Sequence, residues 1–207
     1  MASDATFPEG FFERVDTTDD SGFYRVPRFV THIDPETVGA LTEAYRELLP
    51  AGGSVLDLMS SWVSHLPQDV GFERVAGLGM NQEELDGNPR LQDRVVQDLN
   101  RDPELPYPDD SFDAVVNAVS VQYLTRPVEV FRSVARVLRP GGVHIVAMSH
   151  RCFPTKAIRA FHALDGAGRC DVVERYFALA RGYRDVEPLD RSPRGADPLW
   201  LVVARRA

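Results

Sequence analysis

The sequence predicts an α/β domain built on a mainly parallel sheet, with an antiparallel hairpin closing one edge. Three observations carry this expectation. From residue 54 onward, short β-branched or apolar runs alternate with helical stretches, the pattern of parallel strands joined by crossover helices. Asp34-Pro35 and Arg139-Pro140-Gly141-Gly142 mark a helix start and a helix stop. The last two apolar runs are joined by the turn-rich segment DRSPRGADP, short enough for a hairpin.

Residues 1–33 alternate polar and aromatic types without a period, and read as an irregular N-terminal arm. Asp34 supplies a capping side chain and Pro35 a residue preset for the first turn. Val38, Leu41, Tyr45 and Leu48 then repeat at helical spacing as far as Pro50. Ala51-Gly52-Gly53 breaks the chain. Strands are expected over 54–59, 74–78, 93–97, 112–119 and 143–148. The clearest helix between them covers 127–138, with Val130, Phe131, Val134 and Leu138 on one face. Beyond residue 150, helices are expected over 155–164 and 169–181, separated by Gly166-Ala167-Gly168. Strands at 183–188 and 199–204 follow. The order is five βα units and then a hairpin.

Composition narrows the function. A net charge of −8 repels phosphates, and no Lys/Arg patch is interleaved with aromatics, so no nucleic acid is expected as partner. No apolar run approaches the ~20 residues that span a bilayer, so no membrane is expected either. The first twenty residues lack the basic and apolar segments of a signal peptide. Cys152 and Cys170 make no disulfide framework, which fits a reducing cytoplasm. Their spacing, even with His150 nearby, is not that of a metal site. Oligomeric state leaves no mark on the sequence.

Three segments then carry a resemblance. Asp98, followed by Leu105-Pro106-Tyr107-Pro108-Asp109-Asp110-Ser111-Phe112-Asp113, followed by Leu138-Arg139-Pro140-Gly141-Gly142, resembles the class I S-adenosylmethionine-dependent methyltransferases of the type 11 kind. Residues 183–203 are similar to the closing hairpin of that fold. The resemblance implies a doubly wound, Rossmann-like sheet of seven strands, mainly parallel, with an antiparallel C-terminal hairpin strand. Residues 35–207 would form the methyltransferase-like domain and 1–34 an arm or lid. The implied cofactor is S-adenosylmethionine, lying across the strand ends where strand order reverses. Asp98 matches the residue that accepts from the adenine amino group, and Leu99 the one that packs on the ring. Asn117, Ala118 and Val119 match the backbone facing the sulfonium.

Two departures point to a subgroup with an atypical first motif. Asp57 is present, and is expected to meet the amino group of the methionine part. Leu58-Met59-Ser60-Ser61-Trp62 follows it, where relatives have a glycine-rich loop. Gly79 stands where relatives place the acid that holds the ribose hydroxyls. Met80 adjoins it, and Asn81 or a nearby backbone group would take part of that role.

Methyl transfer from a sulfonium depends largely on positioning, so a quiet catalytic sequence is compatible with an enzyme. His150, after strand five, is the candidate base, with Arg151 beside it on the substrate side. Ser60, Ser61 and His65 have the types of a nucleophile–base set, although capping serines and an orienting histidine account for them equally. In the arm, Tyr24, Arg28 and His32 would close over cofactor and substrate, joined by Tyr123. Arg28 has the planar fork that suits the methionine carboxylate. The other reading packs Phe23, Phe29 and Val30 under the sheet. The expected function is methyl transfer to a small molecule; the alternative is a pseudo-methyltransferase that keeps the fold for ligand binding or regulation.

Overall fold

The computed structural model describes residues 7–207. Alternation along the strands sends side chains to two cores, one on each face of a single sheet. On one face, Leu56, Leu58, Val115 and Val146 pack against Phe131, Val134, Tyr176 and Phe177. On the other, Val55, Val75, Val116 and Ile145 pack against Leu41 and Tyr45. The sheet contains β1 (Ser54–Ser60), β2 (Arg74–Gly79), β3 (Asp93–Val96), β4 (Phe112–Ala118), β5 (Leu138–Met148), β6 (Tyr183–Asp190) and β7 (Trp200–Arg206). Their order is β3-β2-β1-β4-β5-β7-β6. The first five pair in parallel, and β7 runs antiparallel between β5 and β6. The expected doubly wound, seven-stranded sheet is therefore present. Its order reverses between β1 and β4, where such sheets open a crevice at the carboxyl ends of the strands.

The helices are α1 (Asp20–Phe23), α2 (Pro35–Leu48), α3 (Gln82–Asp86), α4 (Pro127–Val137), α5 (Arg159–Ala163) and α6 (Gly166–Ala180). The Asp34 carboxylate accepts from the Thr37 amide at 2.8 Å and caps α2, as its sequence predicts. The regular series of five βα units is not found. Among the described residues, 61–73 and 97–111 contain no helix. Pro67 and Gly71 interrupt the first segment, and Pro103, Pro106 and Pro108 the second.

Two further expectations shift. Residues 155–158 form turns, so α5 is only five residues long. Gly166-Ala167-Gly168 does not separate helices but opens α6, because Asp165 caps it by accepting from the Gly168 amide at 2.9 Å. Gly166 is required there by contact: a β-carbon would stand 2.2 Å from the Trp200 ring.

The arm is fixed to the domain by a buried ionic cluster. Lys156, the chain's only lysine, is fully buried. Its Nζ lies 3.0 Å from Asp20 Oδ1 and 3.2 Å from Asp16 Oδ2, and donates to the Thr18 carbonyl at 2.8 Å. Arg14 adds a second cation 2.8 Å from Asp20. Burial alone would raise the Asp20 carboxyl, but Arg14, Asn100 and Lys156 together hold it below its ordinary value.

Candidate functional site

A cleft of about 1070 Å³, counted with its solvent-filled mouth, lies across the carboxyl ends of β1, β2, β3 and β4. Asp57 to Ser61 form one wall, Gly79 and Met80 the next, and Asp98 to Asn100 a third. Ala118 to Ser120 face them across the switch point. Three non-glycine residues here have left-handed backbones, Met59 at φ 58°, His65 at φ 54° and Val119 at φ 43°. For a β-branched valine this is strained, and such strain concentrates at functional sites.

Burial sets the electrostatics. Asp57 is enclosed, and desolvation pushes its carboxyl up to about 6, against the hydrogen bonds of Ser60 and Ser64. The Ser60 hydroxyl donates to it at 2.6 Å. Burial also raises Asp98, helped by the charges of Asp20 and Asp19 and opposed by the Asn100 amide, which donates to its Oδ1 at 2.9 Å. Glu84 of α3, which sequence reasoning missed, is the third carboxylate on the wall. It accepts from the Ser61 hydroxyl at 2.6 Å and from the Arg28 amide at 2.7 Å. Among the described residues, none of these three carboxylates has an ion-pair partner.

The arm roofs the cleft with Tyr24, Arg28, Val30 and His32. Asn81 donates to the Tyr24 carbonyl at 2.9 Å, and the Trp62 indole donates to the Val30 carbonyl at 3.0 Å. Arg28 stacks on Phe23, 4.4 Å from the ring centre, and donates to the carbonyls of Phe23 and Val26. Tyr123 stacks on Phe153 at 5.7 Å. Burial lowers His32, and brings His65 down to about 4, so both rings are neutral at pH 7. The buried Nδ1 of His65 has no partner among the described residues.

A family model described as "Methyltransferase domain" matches residues 60–146, which run from the end of β1 through β5. That stretch of the chain is similar to methyltransferase domains. Two curated proteins to which the chain is similar are named methyltransferases. Methyltransferase GfsG of Streptomyces halstedii is 33% identical over 127 residues, covering 53% of this chain and 45% of that protein. The 27-O-demethylrifamycin SV methyltransferase of Amycolatopsis mediterranei is 39% identical over 74 residues, covering 33% and 27%. The matched chain thus spans less than half the length of either relative. An S-adenosylmethionine-dependent methyltransferase structure from Mesorhizobium loti superposes with a TM-score of 0.56 at 19% identity, covering 81% of this chain and 98% of that one. At that identity the likeness concerns the fold.

The match to methyltransferase domains supports S-adenosylmethionine as the cofactor, and the wall fits it chemically. The cofactor carries a sulfonium and an ammonium, and the wall offers three carboxylates without cationic partners. Asp57, Met59, Ser60, Ser61, Gly79, Met80, Asp98, Leu99, Ala118 and Val119 all line the cleft, as do Tyr24, Arg28, His32 and Tyr123.

Four expected residues do not. Asn81 is used up, its Oδ1 capping α3 by accepting from the Glu84 amide and its Nδ2 holding the arm. Asn117 is buried and ties β4 to β1 through the Leu58 carbonyl at 3.2 Å. His150 and Arg151 lie off the wall, where both pair with Asp197 of the β6–β7 connection, at 3.1 and 3.0 Å. That pairing makes His150 a fastener of the hairpin rather than a base facing the cleft. Sequence reasoning also missed Phe153 on the cleft and Lys156 beneath the arm. A lone lysine among many arginines was the one sequence signal of special use available for them.

Proposed function

We propose that this protein transfers a methyl group from S-adenosylmethionine to a small molecule admitted beneath the arm. The observation that carries the proposal is the set of three carboxylates, Asp57, Glu84 and Asp98, lining one cleft without cationic partners. Bound there, the cofactor supplies a methyl group already activated on a sulfonium. The protein's own part is to hold, orient and dehydrate the reactants. Asp57 faces the ammonium and Asp98 the adenine amino group. The arm excludes water with Tyr24, Arg28 and His32. His32 and His65, both neutral at pH 7, are placed to accept a proton from an acceptor hydroxyl. The cytoplasm is the proposed location. The name of the Amycolatopsis relative, which specifies an O-demethyl compound, supports an oxygen acceptor of small-molecule class.

Calorimetric titration with S-adenosylmethionine and S-adenosylhomocysteine tests the reading. Both should bind, and Asp98→Ala should weaken both by about tenfold or more, the scale of a hydrogen bond to a charged group. Failure of the folded wild type to bind either ligand would overturn it. A second reading, a fold retained for binding without transfer, is favoured by the helix-free 61–73 segment. It predicts binding but no turnover against hydroxylated acceptors.

A further inference from the structure

We infer that Glu84 holds the two ribose hydroxyls of the cofactor, in place of an acid at the end of β2. This inference rests on the cofactor reading above. The place at Gly79 is closed to any side chain. A β-carbon there would stand 2.2 Å from the Ser60 carbonyl oxygen and 3.2 Å from Leu85 Cδ2. The next polar group along the chain, Asn81, is consumed by capping and by the arm.

Glu84 is the next carboxylate on the wall, and it is buried. Each of its oxygens accepts one hydrogen bond, Oε1 from the Arg28 amide and Oε2 from the Ser61 hydroxyl. An ionised carboxylate has about four acceptor sites, so each oxygen keeps one for a ligand donor. Two oxygens side by side match two neighbouring hydroxyls in the paired geometry that carboxylates favour. Topology agrees. In the order β3-β2-β1-β4, β2 lies between β3 and β1. A ligand with its base at Asp98 and its amino acid at Asp57 has its sugar over the end of β2, where α3 begins.

The same carboxylate would report occupancy to both neighbours. It already joins the arm through Arg28 and the first loop through Ser61, so a bound sugar would be coupled to closure of the roof.

The experiment measures binding of S-adenosylhomocysteine, adenosine and 2′,3′-dideoxyadenosine to the full chain by calorimetry. Wild type should prefer adenosine to the dideoxy compound by about tenfold or more. Glu84→Gln should erase that preference, weakening adenosine while leaving the dideoxy compound nearly unchanged. Trp62→Phe, which removes the indole bond to the arm, should weaken both nucleosides equally and serves as the control for a loosened roof. If Glu84→Gln also weakens both equally, Glu84 is a clasp for the arm and the inference is overturned. Retention of the preference in Glu84→Gln overturns it too. Wild type that fails to bind S-adenosylhomocysteine overturns the cofactor reading itself, a result distinct from binding without hydroxyl preference. Should Glu84→Gln unfold, Glu84→Ala in the same comparison decides.

Discussion

The main-chain oxygen of Ser60 occupies the space in which a side chain at Gly79 would grow, 2.2 Å from the position of its β-carbon. The obstacle is backbone, so it cannot rotate away. It arises because β1 and β2 slip register between Leu58 and Ser60, where Met59 takes its left-handed conformation.

Gly79→Asp therefore does not restore a ribose contact. An acid at this position would meet the Ser60 main chain before it reached a ribose hydroxyl. Gly79→Ala should already destabilise the fold by about 1–3 kcal/mol, the scale of overpacking, with Gly79→Asp worse. Urea denaturation measures this directly. An Ala variant as stable as wild type would show that the two strand ends separate easily.

Lys156→Met should free the arm. Removing one partner of a buried ion cluster costs about 3–5 kcal/mol, because the buried Asp20 keeps its charge with Arg14 alone to balance it. Limited trypsin digestion should cut at Arg14 or Arg25 several-fold faster, before the domain itself is attacked. S-adenosylhomocysteine should protect wild type more than the variant. Equal digestion of both proteins would show that the aromatic contacts of the arm suffice without the lysine.

Asp57 makes both stability and cofactor affinity depend on pH. Burial raises its carboxyl from 3.8 to about 6, so between those values the native state holds a proton that the unfolded chain has released. Stability from this group therefore falls as pH rises through that window, by on the order of 3 kcal/mol. A cofactor ammonium beside the carboxylate favours the charged form, so affinity should rise as pH climbs from 5 to 7. His65 and His144 act in the opposite sense. Burial lowers them to about 4 and about 3, and the unfolded chain takes up their protons first as pH falls below 6.5. Comparison with Asp57→Asn isolates the carboxyl. The variant should gain stability at pH 7 relative to wild type and lose the pH dependence of binding. Parallel pH profiles for the two proteins would assign the effect elsewhere.

The sequence by itself determined the strands, the helix capped by Asp34, the helix opening at Pro127, and the closing hairpin. Each is written in a local period or a local stop signal, which contacts far along the chain do not alter. It also brought Asp57, Asp98 and the end of β4 to one cleft, because parallel topology brings strand carboxyl ends together whatever the loops do. Only the tertiary structure decided the rest. His150 left the wall because Asp197, far along the chain, captures it. Asn81 is spent on the Tyr24 carbonyl and the cap of α3, while Glu84 turns into the cleft and binds Ser61 and the Arg28 amide. Lys156 became an anchor through Asp16 and Asp20, more than a hundred residues earlier in the chain. These are pairings between segments with no shared period. They are set by which groups burial forces to find a partner, and that choice is made only when the arm folds onto the sheet.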